Sequence, residues 1–73
     1  MHPLSMRVLR VFGELGKERL DLHALLESAG NDPKQRRLVL DAIDELKREG
    51  LLNERSGDFY ALTEKGKTLI ARA

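Results

Sequence analysis

Residues 32–50 describe a helix with both ends marked, and every other element of the chain has to be arranged around it. Asp32 carries a carboxylate that can accept from the free N–H groups of a first helical turn, Pro33 suits the first helical position, and Gln35 completes a capping box. Beyond them Val39, Ala42, Ile43 and Leu46 form a continuous apolar stripe, and Gly50 supplies the stop. The pattern predicts the longest helix of the chain, ending at about Glu49.

The remaining glycines punctuate shorter elements. Leu4, Val8, Val11, Phe12 and Leu15 fall at helical spacing, with Ser5 a plausible cap and Gly13 and Gly16 marking the end. Arg19-Leu20-Asp21-Leu22 alternates as a short strand does. Asp21 or a neighbour then caps a second helix in which Leu22, Leu25, Leu26 and Ala29 share a face, ending at Gly30. After the long helix, Leu51 to Glu54 and Asp58 to Leu62 read as two strands around the turn Arg55-Ser56-Gly57-Asp58, a small β-hairpin. Thr63 caps a last helix carrying Leu69 and Ile70, where Gly66 costs roughly 1 kcal/mol relative to alanine. The expected order is α-β-α-α-β-β-α, an α+β and mostly α fold in a single domain over residues 1–73.

A chain of 73 residues has room for one core, and 41% apolar content makes that core possible. With no cysteine, a disulfide scaffold, a cysteine-ligated zinc and a thiol nucleophile are excluded. No apolar run approaches a membrane span, and the start Met1-His2-Pro3-Leu4-Ser5 lacks the regions of a signal peptide, so a cytoplasmic location is expected. Phe12, Phe59 and Tyr60 are too few and too poorly spaced for a platform that stacks single-stranded bases. His2 and His23 form no local metal motif, and His23 falls in the first turn of the second helix. The serines lack a nucleophile signature, and no glycine loop cradles a phosphate. These residues imply no enzyme, no metal and no cofactor.

Three segments together carry a resemblance. Val39-x-x-x-Ile43-x-x-Leu46-x-x-x-Gly50-Leu51-Leu52 is similar to the end of a recognition helix and its exit into a wing strand. Tyr60-x-Leu62-Thr63-x-x-Gly66 looks like a second wing strand entering a C-terminal helix. Leu22 through Leu46, linked by Gly30-Asn31-Asp32-Pro33, is similar to a helix-turn-helix. From Leu20 to Ile70 the chain resembles the winged helix-turn-helix superfamily, especially small bacterial and archaeal transcriptional-regulator domains. The resemblance implies a three-helix core, a β-hairpin wing, a C-terminal helix and binding to double-stranded DNA, with the third helix in the major groove. The same scaffold also serves protein–protein contacts alone.

On that reading Lys34, Gln35, Arg36 and Arg37 supply groove-edge and phosphate contacts, Arg55 and Ser56 the wing contact, and Lys65 or Lys67 backbone support. Capping competes for Gln35. A helical wheel puts Lys34, Arg37, Asp41, Asp44 and Arg48 opposite the stripe, with Arg36 and Lys47 on one flank beside Leu40. The plain alternative pairs Arg37 with Asp41 and Asp44 with Arg48 across a solvated helix face. Asp41, Asp44, Glu45 and an exposed Leu40 depart from a phosphate-facing pattern, and the net charge is only +1. They favour the competing reading, an interaction module that recruits a protein partner and touches no nucleic acid. A homodimer is expected for DNA binding, through the first or last helix, because one short chain reads few base pairs. A third reading is a fragment of a larger regulator.

Overall fold

The computed structural model describes residues 3–29 and 32–72, in the order α1 (Pro3–Leu15), β1 (Arg19–Asp21), α2 (Leu22–Ala29), α3 (Pro33–Arg48), β2 (Leu52–Glu54), β3 (Phe59–Leu62) and α4 (Glu64–Arg72). It is mostly helical, with four helices and one small antiparallel sheet, and the expected element order holds. The expected link Gly30-Asn31, the end of α2 at Gly30 and His2 lie outside the described residues.

The long helix forms where its local signals put it. The Asp32 carboxylate accepts from the Lys34 amide at 2.9 Å, Pro33 opens the helix, and Glu49 is its C-terminal cap residue. Gln35 completes no box: its amide donates to the Asp32 carbonyl at 2.8 Å, and its side chain makes no hydrogen bond among the described residues. Gly50 takes φ of +76°, the left-handed turn that lets the chain leave the helix at little steric cost. Asp21 caps α2 by accepting from the Ala24 amide at 2.8 Å.

Val39, Ala42, Ile43 and Leu46 are all buried, and they meet Val8, Leu9, Val11 and Phe12 of α1, Leu25 and Leu26 of α2, Leu20, and Leu51–Leu52 in one core. Two expectations for α1 fail. Ser5 is no cap: it sits inside the helix, wholly buried, and its hydroxyl donates to Glu45 Oε1 at 2.9 Å, tying α1 to α3. The helix also runs through Gly13, and Leu15 is exposed while Leu9 takes a core position. The apolar spacing locates the helix, but which flank meets the core is set by packing against α3.

Strand β1 joins the hairpin. The sheet order is β1-β3-β2, with Arg19 opposite Ala61 on one side and Asn53 opposite Ala61 on the other. Gly57, at φ of +67°, makes the turn between β2 and β3. Leu20, Leu52, Tyr60 and Leu62 share the inner face, and Tyr60 and Leu62 pack against the core. Thr63 then links two helix ends. Its hydroxyl donates to the Gly50 carbonyl at 2.7 Å and accepts from the Gly66 amide at 3.0 Å, stopping α3 and starting α4 together. Among the described residues no helix is long and apolar enough to cross a membrane.

Candidate nucleic-acid interface

The first turn of α3 carries Lys34, Gln35, Arg36 and Arg37, all exposed, and no acidic residue. Cations here oppose the positive end of the helix dipole, at about 0.3–1 kcal/mol each. The Lys34 and Arg36 side chains have no partner among the described residues. Arg37 Nε lies 3.8 Å from Asp41 Oδ1, as the sequence suggests, but both side chains are largely exposed, so the pair is weak and readily exchanged for another anion. Four adjacent polar side chains thus project from the start of a helix capped by Asp32.

Farther along, the helix changes character. The expected Asp44–Arg48 pair does not form among the described residues: Asp44 lies 3.8 Å from Lys47 Nζ instead, and the same ammonium donates to Glu54 of β2 at 2.6 Å. That hydrogen bond raises the Lys47 pKa above its ordinary 10.5. Leu40 is half-buried, not exposed, and Leu38 is the open residue at 47%. Both lie roughly 100° from Val39 on a helical wheel, so periodicity assigns them equal exposure. Leu38 borders a shallow, mainly apolar groove with Leu4, Ser5 and Ala42, rimmed by Asp41 and Glu45.

The other expected contact residues divide by occupancy. Arg55 and Ser56 are exposed at the hairpin turn. Lys65 instead donates from Nζ to the Glu49 carbonyl at 2.9 Å, completing the C-terminus of α3. Lys67 Nζ is held by Glu18 and, at 3.3 Å, by Glu64, which raises its pKa above 10.5 through hydrogen bonds, Glu18 first. Both lysines already have internal partners that only the folded chain supplies. His23 is exposed and lies 3.5 Å from Glu27.

One feature of the sheet escapes sequence inspection. Arg19 lies over the Phe59 ring, 5.5 Å from its centroid, and shares a groove with Arg55 and Ser56. The strand alternation around Arg19 is legible, but its pairing with β3 is not. No protein-family model, curated protein or solved structure matches the chain.

Proposed function

We propose that the chain is a small winged helix-turn-helix protein that binds double-stranded DNA, a transcriptional regulator acting as a homodimer in the cytoplasm. The observation that carries this reading is the cluster of exposed cations on the first turn of α3, Lys34, Arg36 and Arg37, held where the helix dipole disfavours them. A phosphate backbone relieves that cost, and a helix end capped by Asp32 offers Gln35 and the cations to base edges. Asp41, Asp44 and Glu45 confine the contact to this first turn. Arg55 and Ser56 at the hairpin turn supply a second backbone contact, while Lys65 and Lys67 serve the fold before any partner.

The test is an anisotropy titration of random-sequence duplex across a salt series. Each phosphate contact contributes about 0.9 to the slope of log K against log salt, so Arg36→Ala with Arg37→Ala should flatten it by about 2. An unchanged slope ends the reading. The exposed Leu38 and its acid-rimmed apolar groove favour the second reading, a protein-interaction module. That reading predicts that the wild-type chain shows no salt-dependent duplex binding at all.

A further inference from the structure

Strand register places Arg19, Asn53 and Ala61 on the solvent face of the sheet, with Asp21 and Phe59 next along the same face. Arg55 continues it beyond β2, its amide donating to the Phe59 carbonyl at 2.8 Å. Phe59 is 41% exposed, one of the three most open large apolar side chains among the described residues. A groove of about 480 Å³ runs alongside, walled by Glu18, Arg19, Arg55, Ser56 and Lys67, with the small residue Ala61, opposite Arg19, also lining it.

The charges in this groove are not equivalent. Lys67 is neutralised by Glu18 and Glu64, and Asp21 is occupied in capping α2. Arg19 and Arg55 form no ion pair with a carboxylate among the described residues. Contact with the Phe59 ring places the Arg19 guanidinium carbon 5.5 Å from the ring centroid, and the guanidinium N–H donors have no hydrogen-bond partner among the described residues. Two guanidiniums lining one groove repel each other, and an oxyanion with several acceptors turns that repulsion into two charge-assisted contacts. The Ser56 hydroxyl adds a donor on the same wall. The open part of the Phe59 ring offers an apolar surface for a flat base next to the anion.

We propose that the solvent face of the sheet binds a nucleotide unit, its phosphate across Arg19 and Arg55 and its base against Phe59. The site shares Arg55 and Ser56 with the hairpin contact proposed for duplex DNA, but it lies on different elements from the first turn of α3 that carries that reading and does not rest on it. A free nucleotide and a nucleic-acid strand present the same chemistry, and the experiment separates them.

The test is an amide NMR titration of the full chain with adenosine monophosphate, inorganic phosphate and a random-sequence duplex, each against sodium chloride at matched ionic strength. Adenosine monophosphate should shift the amides of Arg19, Phe59 and Ala61 saturably. Arg19→Gln and Arg55→Gln should each weaken binding about tenfold, the loss of one charged hydrogen-bonding partner. Phe59→Leu should remove the preference for the nucleotide over inorganic phosphate. Both arginines are exposed, and dispersed amide spectra report that each variant is folded. Shifts matched by sodium chloride, or unchanged affinity in both arginine variants, overturn the proposal. If the duplex moves the same amides and competes with the nucleotide, a strand is the source; if only adenosine monophosphate moves them, a free nucleotide is. A duplex response confined to α3, with no response of the sheet to any ligand, overturns the sheet site and leaves the α3 reading intact. A sheet response, with α3 silent toward the duplex, does the reverse.

Discussion

Two helical glycines, Gly13 in α1 and Gly66 in α4, offer a direct test of the packing. Intrinsic propensity treats them alike, since alanine is favoured over glycine by about 1 kcal/mol inside a helix. Their surroundings differ. A Cβ on Gly13 would meet only Ile70 Cγ2 at 3.2 Å, a methyl of a half-buried side chain near the end of α4 that need give way by only a few tenths of an ångström. A Cβ on Gly66 would run into the Leu51 carbonyl oxygen and come within 3.2 Å of Leu62 Cδ2. That carbonyl cannot retreat freely. It accepts from the Thr63 amide at 3.1 Å, and the Leu51 amide donates to the Leu46 carbonyl at 2.9 Å. Making room at Gly66 therefore costs an overpacking strain of about 1–3 kcal/mol, plus about 1 kcal/mol where a backbone hydrogen bond is stretched. Against the propensity gain, Gly66→Ala should destabilise by about 1–3 kcal/mol, while Gly13→Ala should stabilise by about 0.5 kcal/mol. In a domain of this size 1 kcal/mol moves Tm by roughly 4–8 °C, so thermal melts followed by circular dichroism separate the two variants clearly. A Gly66→Ala protein that melts at or above wild type would refute the close approach of α4 to Leu51. Equal melting of the two variants would refute the argument that packing, not propensity, selects glycine at position 66.

Ser5→Ala removes the buried bond to Glu45 and should cost about 0.5–1.5 kcal/mol in urea unfolding, whereas a neutral outcome would mean that the α1–α3 tie is not formed. Leu38→Ser should leave the melting temperature within about 2–4 °C of wild type, because surface substitutions fall within about 0.5 kcal/mol, while Leu40→Ser should lower it more; the opposite order would contradict the placement of α3. Stability should fall as the pH rises above about 10, because burial raises Tyr60 above its ordinary 10.0, and the hydrogen bonds that Lys47 and Lys67 donate to Glu54 and Glu18 raise these lysines above 10.5. For each group the unfolded chain loses its proton first, so the contribution is intact below the unfolded pKa and disappears as the pH climbs through the folded one. Tyr60 is the only tyrosine, and its absorbance titration should have a midpoint above 10.0; a midpoint at or below that value would contradict its burial.

What the sequence determined by itself is local. Asp32 and Pro33 open α3 and Gly50 closes it, because a capping carboxylate, a proline ring and a left-handed glycine act on neighbouring backbone without help from the rest of the chain. The stripe Val39, Ala42, Ile43 and Leu46 is buried for a similar reason: helical periodicity alone puts those residues on one face. Exposure of Lys34 and Arg37 follows from the same geometry, and that of Arg55 from its place in a turn. The tertiary structure decided everything that depends on which surfaces meet. It paired β1 with β3, and so set Arg19 over Phe59, because alternation marks a strand but not its partner. It covered Leu40 and left Leu38 open, a choice the wheel cannot make. It gave Lys65 and Lys67 to Glu49 and Glu18 across long stretches of chain, and it turned Gly66 from a weak helical residue into a required one. Each of these rests on contacts between residues distant in sequence, whose energies exist only once the core has brought them together.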